Sequence, residues 1–262
     1  MSPRPNDRTV GQVWQKLCKQ KKMRITVFNG SARGSHSTSQ IMAQELVLGA
    51  KGAGAEVDNV FLVQKHIEPC RACFNCWFTT PGRCLVSDDM GELLAKIRKS
   101  DIIVFATPLY VDNVSGIMKD FMDRLVPLLE APYKLDANGE CYHSPRKKPT
   151  PGFVVVSNCA YPEAAHFQVL KLLFRRMARN FSTRVIAEIY LPAGIMLDGW
   201  MPQFRPAIKL YKKALQQAGK EIVVRRKLSA GTITALGKPL VSQAEFIRIM
   251  NKYFARLIKR RG

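Results

Sequence analysis

Acidic side chains are scarce in this 262-residue chain: 20 Asp and Glu stand against 41 Lys and Arg, a formal net charge of +21. So basic a field attracts phosphorylated cofactors, acidic proteins, nucleic acid or anionic membrane. A recognisable nucleic-acid-binding motif is missing, and the basic clusters "FRRMAR", "RRK" and "IKRRG" are scattered over predicted elements. A solvated basic surface is therefore preferred to nucleic-acid binding as the main function. Long apolar runs are missing too: "DIIVFATPLYV" and "GFVVVSNCA" are far too short to span a bilayer. Residues 1–22 are basic and carry no apolar stretch, so we expect no secretory signal and a reducing, cytoplasmic setting. Neither a G-x-G-x-x-G fingerprint nor a P-loop lysine is present, which argues against dinucleotide and P-loop nucleotide sites.

What is present is an ordinary globular composition, 47% hydrophobic and 23% charged, long enough for one large domain with extensions. From Met23 onward, short β-branched runs alternate with helical patterns. "RITVFNG", "EVDNVFLV", "DIIVFATPLY", "GFVVVSNCA" and "TRVIAEIYLPAG" are predicted strands. Between them "SQIMAQELVLGAK", "DDMGELLAKIRKS", "SGIMKDFMDRLVPLL" and "EAAHFQVLKLLFRRMARNF" are predicted helices. This alternation predicts an α/β fold, a flavodoxin-like doubly wound five-stranded parallel sheet of order 2-1-3-4-5 with helices on both faces. It places a ligand at the carboxyl ends beside strand 1. Residues 1–22 are expected to form a basic extension with one helix near "VGQVWQKLCKQ", 23–200 the domain, and 201–262 a helical extension packed on the domain or a partner subunit. In that extension Phe246, Ile249, Met250, Tyr253 and Leu257 form an apolar stripe.

Strand 1 runs into "NGSARGSHSTSQ". Gly30 allows a tight exit, Ser31, Ser35, Ser37 and Thr38 supply short hydroxyls, Arg33 a cation, and the next helix free N–H groups. These parts suit one terminal phosphate of a mononucleotide. A second constellation is "PCRACFNCWFTTPGRC", an insertion over 69–87 in which Cys70, Cys73, Cys76 and Cys84 hold four of the chain's seven cysteines at C-x2-C-x2-C-x7-C spacing. Three thiols in seven residues, with a fourth returned by Pro81-Gly82, suit the corners of a [4Fe–4S] cubane. Redox-active or free thiols and a zinc site stay open; zinc commonly uses two separated C-x2-C pairs, and here there is one run.

These motifs, in this order, resemble the NADPH-dependent FMN reductase family. "GSARGSHST" is similar to its phosphate loop, "TPLYVDNVSGIMKDFMDR" to its second flavin loop, and "SNCAYPEAAHF" to its third. The cysteine run followed by "DDM" resembles the iron–sulfur flavoprotein branch. The resemblance covers roughly residues 23–200 and implies that Ser31, Arg33, Ser37 and Thr38 bind an FMN phosphate. It implies further that Pro108, Leu109 and Tyr110 line the isoalloxazine with backbone N–H groups, that Asn113 and Ser115 close that loop, and that Asn158, Cys159 and Tyr161 approach the ring. The activity implied is transfer of electrons from NAD(P)H through FMN, and through a [4Fe–4S] cluster on the four cysteines, to an acceptor, in a homodimer or homotetramer. A second reading is an electron-transfer flavoprotein linked to ferredoxin or another acidic redox protein, without NAD(P)H activity. A third, weaker, is a basic nucleic-acid-associated protein of the same fold.

Several residues have plainer readings. Lys119, Asp123 and Arg124 are expected in helix-surface ion pairs, at i, i+4 or with neighbouring helices, and Asp88 and Asp89 as helix caps. His166 is expected to be structural, Cys159 a small neighbour of the ring, and Cys18 and Cys141 free thiols.

Overall fold

The computed structural model describes residues 22–259; the expected helix near Trp14 and the thiol of Cys18 lie outside the described residues. Five strands, β1 (Arg24–Asn29), β2 (Glu56–Phe61), β3 (Ile102–Pro108), β6 (Gly152–Asn158) and β7 (Val185–Leu191), form one parallel sheet. Its order is β2-β1-β3-β6-β7. Counting these five alone, that is the 2-1-3-4-5 order expected of a flavodoxin-like fold. β4 (Leu129–Leu135) and β5 (Cys141–Pro145) make a separate antiparallel hairpin between β3 and β6.

β1, β3 and β6 are buried nearly throughout because their alternate side chains feed two different cores. Ile25, Val27, Ile102, Val104, Val154 and Val156 face one; Phe28, Ile103, Phe105, Phe153 and Val155 face the other. Period-2 alternation with both faces apolar is what a sheet covered on both sides demands. The second core is closed by α2 (Met90–Lys99), α3 (Gly116–Asp123) and α4 (Gln168–Asn180) through Leu93, Met118, Phe121, Leu170 and Phe174.

The first core is closed by α1 (Thr38–Gly52) and by the C-terminal helices α5 (Arg205–Arg225), α6 (Ala230–Leu236) and α7 (Gln243–Lys259). α1 and α5 cross closely enough to require glycine on both sides. A Cβ at Gly49 would lie 1.8 Å from the Gln216 carbonyl oxygen, and one at Gly219 would lie 2.0 Å from that of Leu46. The contact is backbone against backbone. α6 is fastened to α5 by Glu221, whose carboxylate accepts from Ser229 N–H (2.8 Å), the Ser229 and Thr232 hydroxyls (2.8 and 2.9 Å) and Gln217 Nε2 (3.0 Å).

Three local expectations are corrected. The helix expected over "SGIMKDFMDRLVPLL" stops at Asp123; Val126–Leu128 make a 3-10 turn, and only the last residue, Leu129, begins the hairpin. Arg124 is no surface ion pair: it is fully buried, with Nη1 and Nη2 on Asp88 Oδ2 and Oδ1 at 2.6 and 3.0 Å. Asp88 also accepts from Met90 N–H, but its chief partner is that guanidinium, and Asp89 accepts from His66 N–H instead of capping α2. Lys119 and Asp123 do pair at 2.7 Å along α3, and Cys141 is a free, exposed thiol.

Candidate functional site

The strand-to-helix loops after β1, β3 and β6 surround a cleft of about 270 Å³ at the carboxyl edge of the sheet. Each loop is held by its own sequence. After β1, the Asn29 carboxamide accepts from Ser31 N–H, and the Ser31 hydroxyl accepts from Arg33 N–H. Ser37 then caps α1: its hydroxyl accepts from Gln40 N–H and donates to the Gly34 carbonyl. Ser31, Ser37 and Thr38 line the cleft, and Ser39, which the sequence reading missed, lines it beside them. Its signal was its place at the second position of a helix that follows a hydroxyl-rich loop.

A helix leaves its first N–H groups without internal acceptors; Thr38 and Ser39, the first two residues of α1, line the cleft, and their N–H groups have no acceptor among the described residues. Arg33 lines the same cleft, is exposed, and has no carboxylate partner among the described residues. Free N–H donors beside an unclaimed cation make a site for a phosphate group. Ser35 is exposed and outside the lining.

After β3, Pro108, Leu109 and Tyr110 form one wall. Their backbone donors are not available as expected. Pro108 has none, Leu109 N–H donates to the Asn158 carbonyl at 2.9 Å, and Tyr110 N–H donates to that of Asn113 at 2.9 Å. The turn then passes through Val111 and Asp112, both with positive φ (49° and 54°), and their N–H groups have no partner among the described residues. Asn113 returns its own N–H to Tyr110 and its side chain accepts from Val114 N–H. Ser115 is buried: its hydroxyl donates to the Gly30 carbonyl and accepts from Met118 N–H, tying the second loop to the first. Asn113 and Ser115 therefore shape the loop from behind and do not line the cleft.

After β6, Asn158, Cys159 and Tyr161 form the opposite wall, with Ala160 and Ile195 beside them. Asn158 Nδ2 donates to the Ser39 hydroxyl at 2.8 Å, joining this loop to α1. Burial pushes the Cys159 thiol up to about 11, so at neutral pH it is a protonated, near-apolar wall. Tyr161 is exposed and stacks on His166 with ring centroids 4.0 Å apart. His166 in turn meets Asp112 across the mouth of the cleft (3.2 Å) and Glu163 (3.6 Å).

The four clustered cysteines line a second cavity, of about 370 Å³, together with Arg71, Phe74, Asp123 and Arg124. Ala72 and Phe74, in the left-handed region at φ 49° and 54°, fold the segment between the thiols, and a single helical turn, Asn75–Phe78, follows. Gly82 (φ 83°) donates its N–H to the Cys76 carbonyl, which turns the chain so that Cys84 returns to the cavity. Asn75 lowers the pKa of the Cys73 thiol through its backbone and side-chain N–H groups, whereas burial, then the neighbouring Cys84 and Cys73, raises that of Cys76. The buried Arg124–Asp88 pair backs the cavity. Burial alone would push the Asp88 carboxyl up; Arg124 and the N–H groups of Glu68 and Met90 outweigh it and hold it below its usual range.

Among the described residues, no three His, Cys, Asp or Glu side chains converge on a point where one metal ion would sit. A tetrahedral zinc needs sulphurs about 2.3 Å from a single centre. Four thiols lining one cavity are the donor set that a polynuclear cluster takes, one thiolate to each corner iron.

The sequence profile of the NADPH-dependent FMN reductase family matches residues 23–177. An iron–sulfur flavoprotein of Methanosarcina thermophila is 36% identical over 106 residues, 40% of this chain and 54% of that protein; the match thus spans about half the length of this relative. Among solved structures, an FMN-dependent NADH-azoreductase from Bacillus anthracis in complex with FMN superposes with a TM-score of 0.55 at 12% identity, covering 77% of this chain and 99% of that one. An NAD(P)H:quinone oxidoreductase from Methanothermobacter marburgensis gives 0.54 at 13% identity, over 77% and 97%. At such identities the structures speak for the fold alone; the sequence matches speak for descent. The chain belongs to the NADPH-dependent FMN reductase family, and over part of its length it is similar to iron–sulfur flavoproteins.

Proposed function

We propose that this chain is an NAD(P)H-dependent FMN oxidoreductase that passes electrons on through a [4Fe–4S] cluster. The observation that carries the flavin reading is the cleft itself: helix N–H groups and Arg33, without partners among the described residues, at one end, and aromatic and apolar walls at the other. In this reading Arg33 and the N–H groups of Thr38 and Ser39 hold the phosphate. Tyr110, Cys159 and Tyr161 flank the ring system, and the free N–H groups of Val111 and Asp112 face its polar edge. Bound FMN supplies the hydride acceptor, so the protein's task is binding, orientation and electrostatics, not an acid–base triad. Fixed N–H dipoles favour the negative charge that a two-electron reduction brings to that edge.

Cys70, Cys73, Cys76 and Cys84 supply the thiolates of the cluster, which exchanges single electrons. No residue lines both cavities. We infer that the chain works as a homodimer or homotetramer, in which one subunit's cysteines meet another's flavin cleft. The final acceptor is a small oxidant or an acidic redox protein such as ferredoxin, whose docking the +21 charge favours. Among the described residues no helix is long and apolar enough to cross a membrane; the cytoplasm is the proposed compartment.

The test is anaerobic purification followed by a visible spectrum, flavin extraction, iron and sulfide analysis, and titration with NADH and NADPH. FMN near one per chain, bleached by either nucleotide, and four irons per chain are expected. FAD in place of FMN would overturn the phosphate placement. Bound FMN that neither nucleotide bleaches would overturn the NAD(P)H reading and leave the ferredoxin-linked one. Iron-free protein after anaerobic reconstitution would remove the cluster and leave the flavin reading standing.

A further inference from the structure

The apolar stripe of the last helix is only half covered. Phe246, Ile249 and Met250 of α7 are buried against the first core, but from Asn251 to Lys259 every residue is exposed. The helix runs off the domain with its apolar side chains still in place: Tyr253 is 42% exposed, Phe254 50% and Ile258 72%. Trp200, itself 45% exposed, lies against Tyr253 with ring centroids 5.8 Å apart and widens the patch.

At about 100° per residue, Tyr253, Phe254, Leu257 and Ile258 share one side of the helix, while Arg248, Lys252, Arg256 and Lys259 share the other. Arg248 pairs with Glu245 at 3.8 Å; Lys252, Arg256 and Lys259 have no carboxylate partner among the described residues. The sequence continues with Arg260 and Arg261. An aromatic-rich apolar side backed by unpaired cations is the arrangement that lies in the plane of a bilayer surface, apolar side down and cationic stems reaching to headgroups. Trp and Tyr at its edge suit the zone where apolar and wet surroundings meet. A second copy of the chain is the competing occupant at this patch; it would cover the apolar side but leave Lys252, Arg256 and Lys259 without counter-charge, whereas an anionic surface meets both.

We propose that the exposed half of α7, with Trp200, is a membrane-surface anchor that seats this protein on anionic lipid. The anchor lies on the bilayer and does not span it.

The experiment uses the full flavin-loaded chain, sedimented with vesicles of phosphatidylglycerol in phosphatidylcholine and with vesicles of phosphatidylcholine alone. Three unpaired cations predict binding about a hundredfold tighter to the anionic vesicles, weakening as salt rises. The double variant F254E/I258E changes two exposed side chains away from both cavities. It should lose tenfold or more in vesicle binding while keeping its flavin content and circular dichroism. Sedimentation velocity without lipid serves as the second arm. Equal binding to both vesicle types, or unchanged binding by F254E/I258E, would overturn the proposal. So would a lipid-indifferent dimer that F254E/I258E dissociates, which would assign the patch to a second copy.

Discussion

Replacing Glu221 by Gln should loosen the C-terminal helices, and the structure sets how much. The carboxylate is buried and takes four hydrogen bonds, three of them from Ser229 and Thr232 at the start of α6. Burial opposes its charge, but the donors win and bring its pKa from an ordinary 4.5 down to about 2. At about 1.36 kcal/mol per pKa unit, that difference favours the ionised folded state by roughly 3 kcal/mol. The folded pKa is the lower one. The contribution is therefore complete above about pH 4.5 and is lost as pH falls towards 2. A glutamine keeps the shape but turns one acceptor into a donor that faces donors. Urea unfolding at pH 7 should show Glu221→Gln less stable by about 2–3 kcal/mol, the gap closing as both proteins are taken towards pH 3. Equal midpoints at pH 7, or a gap that does not change with pH, would show that the carboxylate is solvated in the folded protein and that the reasoning fails.

Gly219→Ala should be among the most damaging single changes in the chain. Its methyl would sit 2.0 Å from a backbone carbonyl, so α5 must lift from α1, and a loss above about 3 kcal/mol in urea unfolding is expected. Arg33→Ala should weaken FMN by about 1.5–3 kcal/mol, the range of a charge-assisted hydrogen bond, measured by flavin fluorescence during apoprotein titration. Cys84→Ser should lower iron and sulfide while FMN stays near one per chain, and stopped-flow reduction of the flavin by NAD(P)H should persist. Arg124→Met leaves the Asp88 carboxylate buried without its guanidinium, and thermal unfolding should show a loss of about 3–5 kcal/mol.

The sheet and the cleft were legible in the sequence because they are local signals repeated in order. Each strand is a short apolar run, each cofactor loop follows one directly, and strand order follows from the alternation. What escaped depends on partners distant in the chain. Arg124 ends a helix and looks like a surface cation until Asp88, 36 residues earlier, is brought against it. The N–H groups of Leu109 and Tyr110 look free until the Asn158 and Asn113 carbonyls arrive to take them. Gly49 and Gly219 look like weak spots in two helices, and only the crossing shows that a side chain has no room there. The β4–β5 hairpin did carry a local signal, the Asn138-Gly139 pair between "YKL" and "CYH", with Gly139 at φ 76°. It was overlooked because the preceding helical pattern was extended through Leu128 and Leu129.

The two-sided strands have a consequence for how this molecule can change over time. A one-residue slip in β1, β3 or β6 would exchange the contents of two cores at once, trading Val104 for Phe105 or Val154 for Phe153. Each of these three strands is thus proofread from above and below, and insertions or deletions within it are forbidden twice over. The loops between strands are under no such control. The hairpin after β3 and the cysteine segment after β2 show that whole new elements can be spliced into these connections while the sheet stays in register. The cleft proposed for the flavin hangs from strand ends and therefore keeps its place while its surroundings are rebuilt. A scaffold of this kind can acquire a thiol-bearing segment such as this one without rebuilding the cleft at its strand ends.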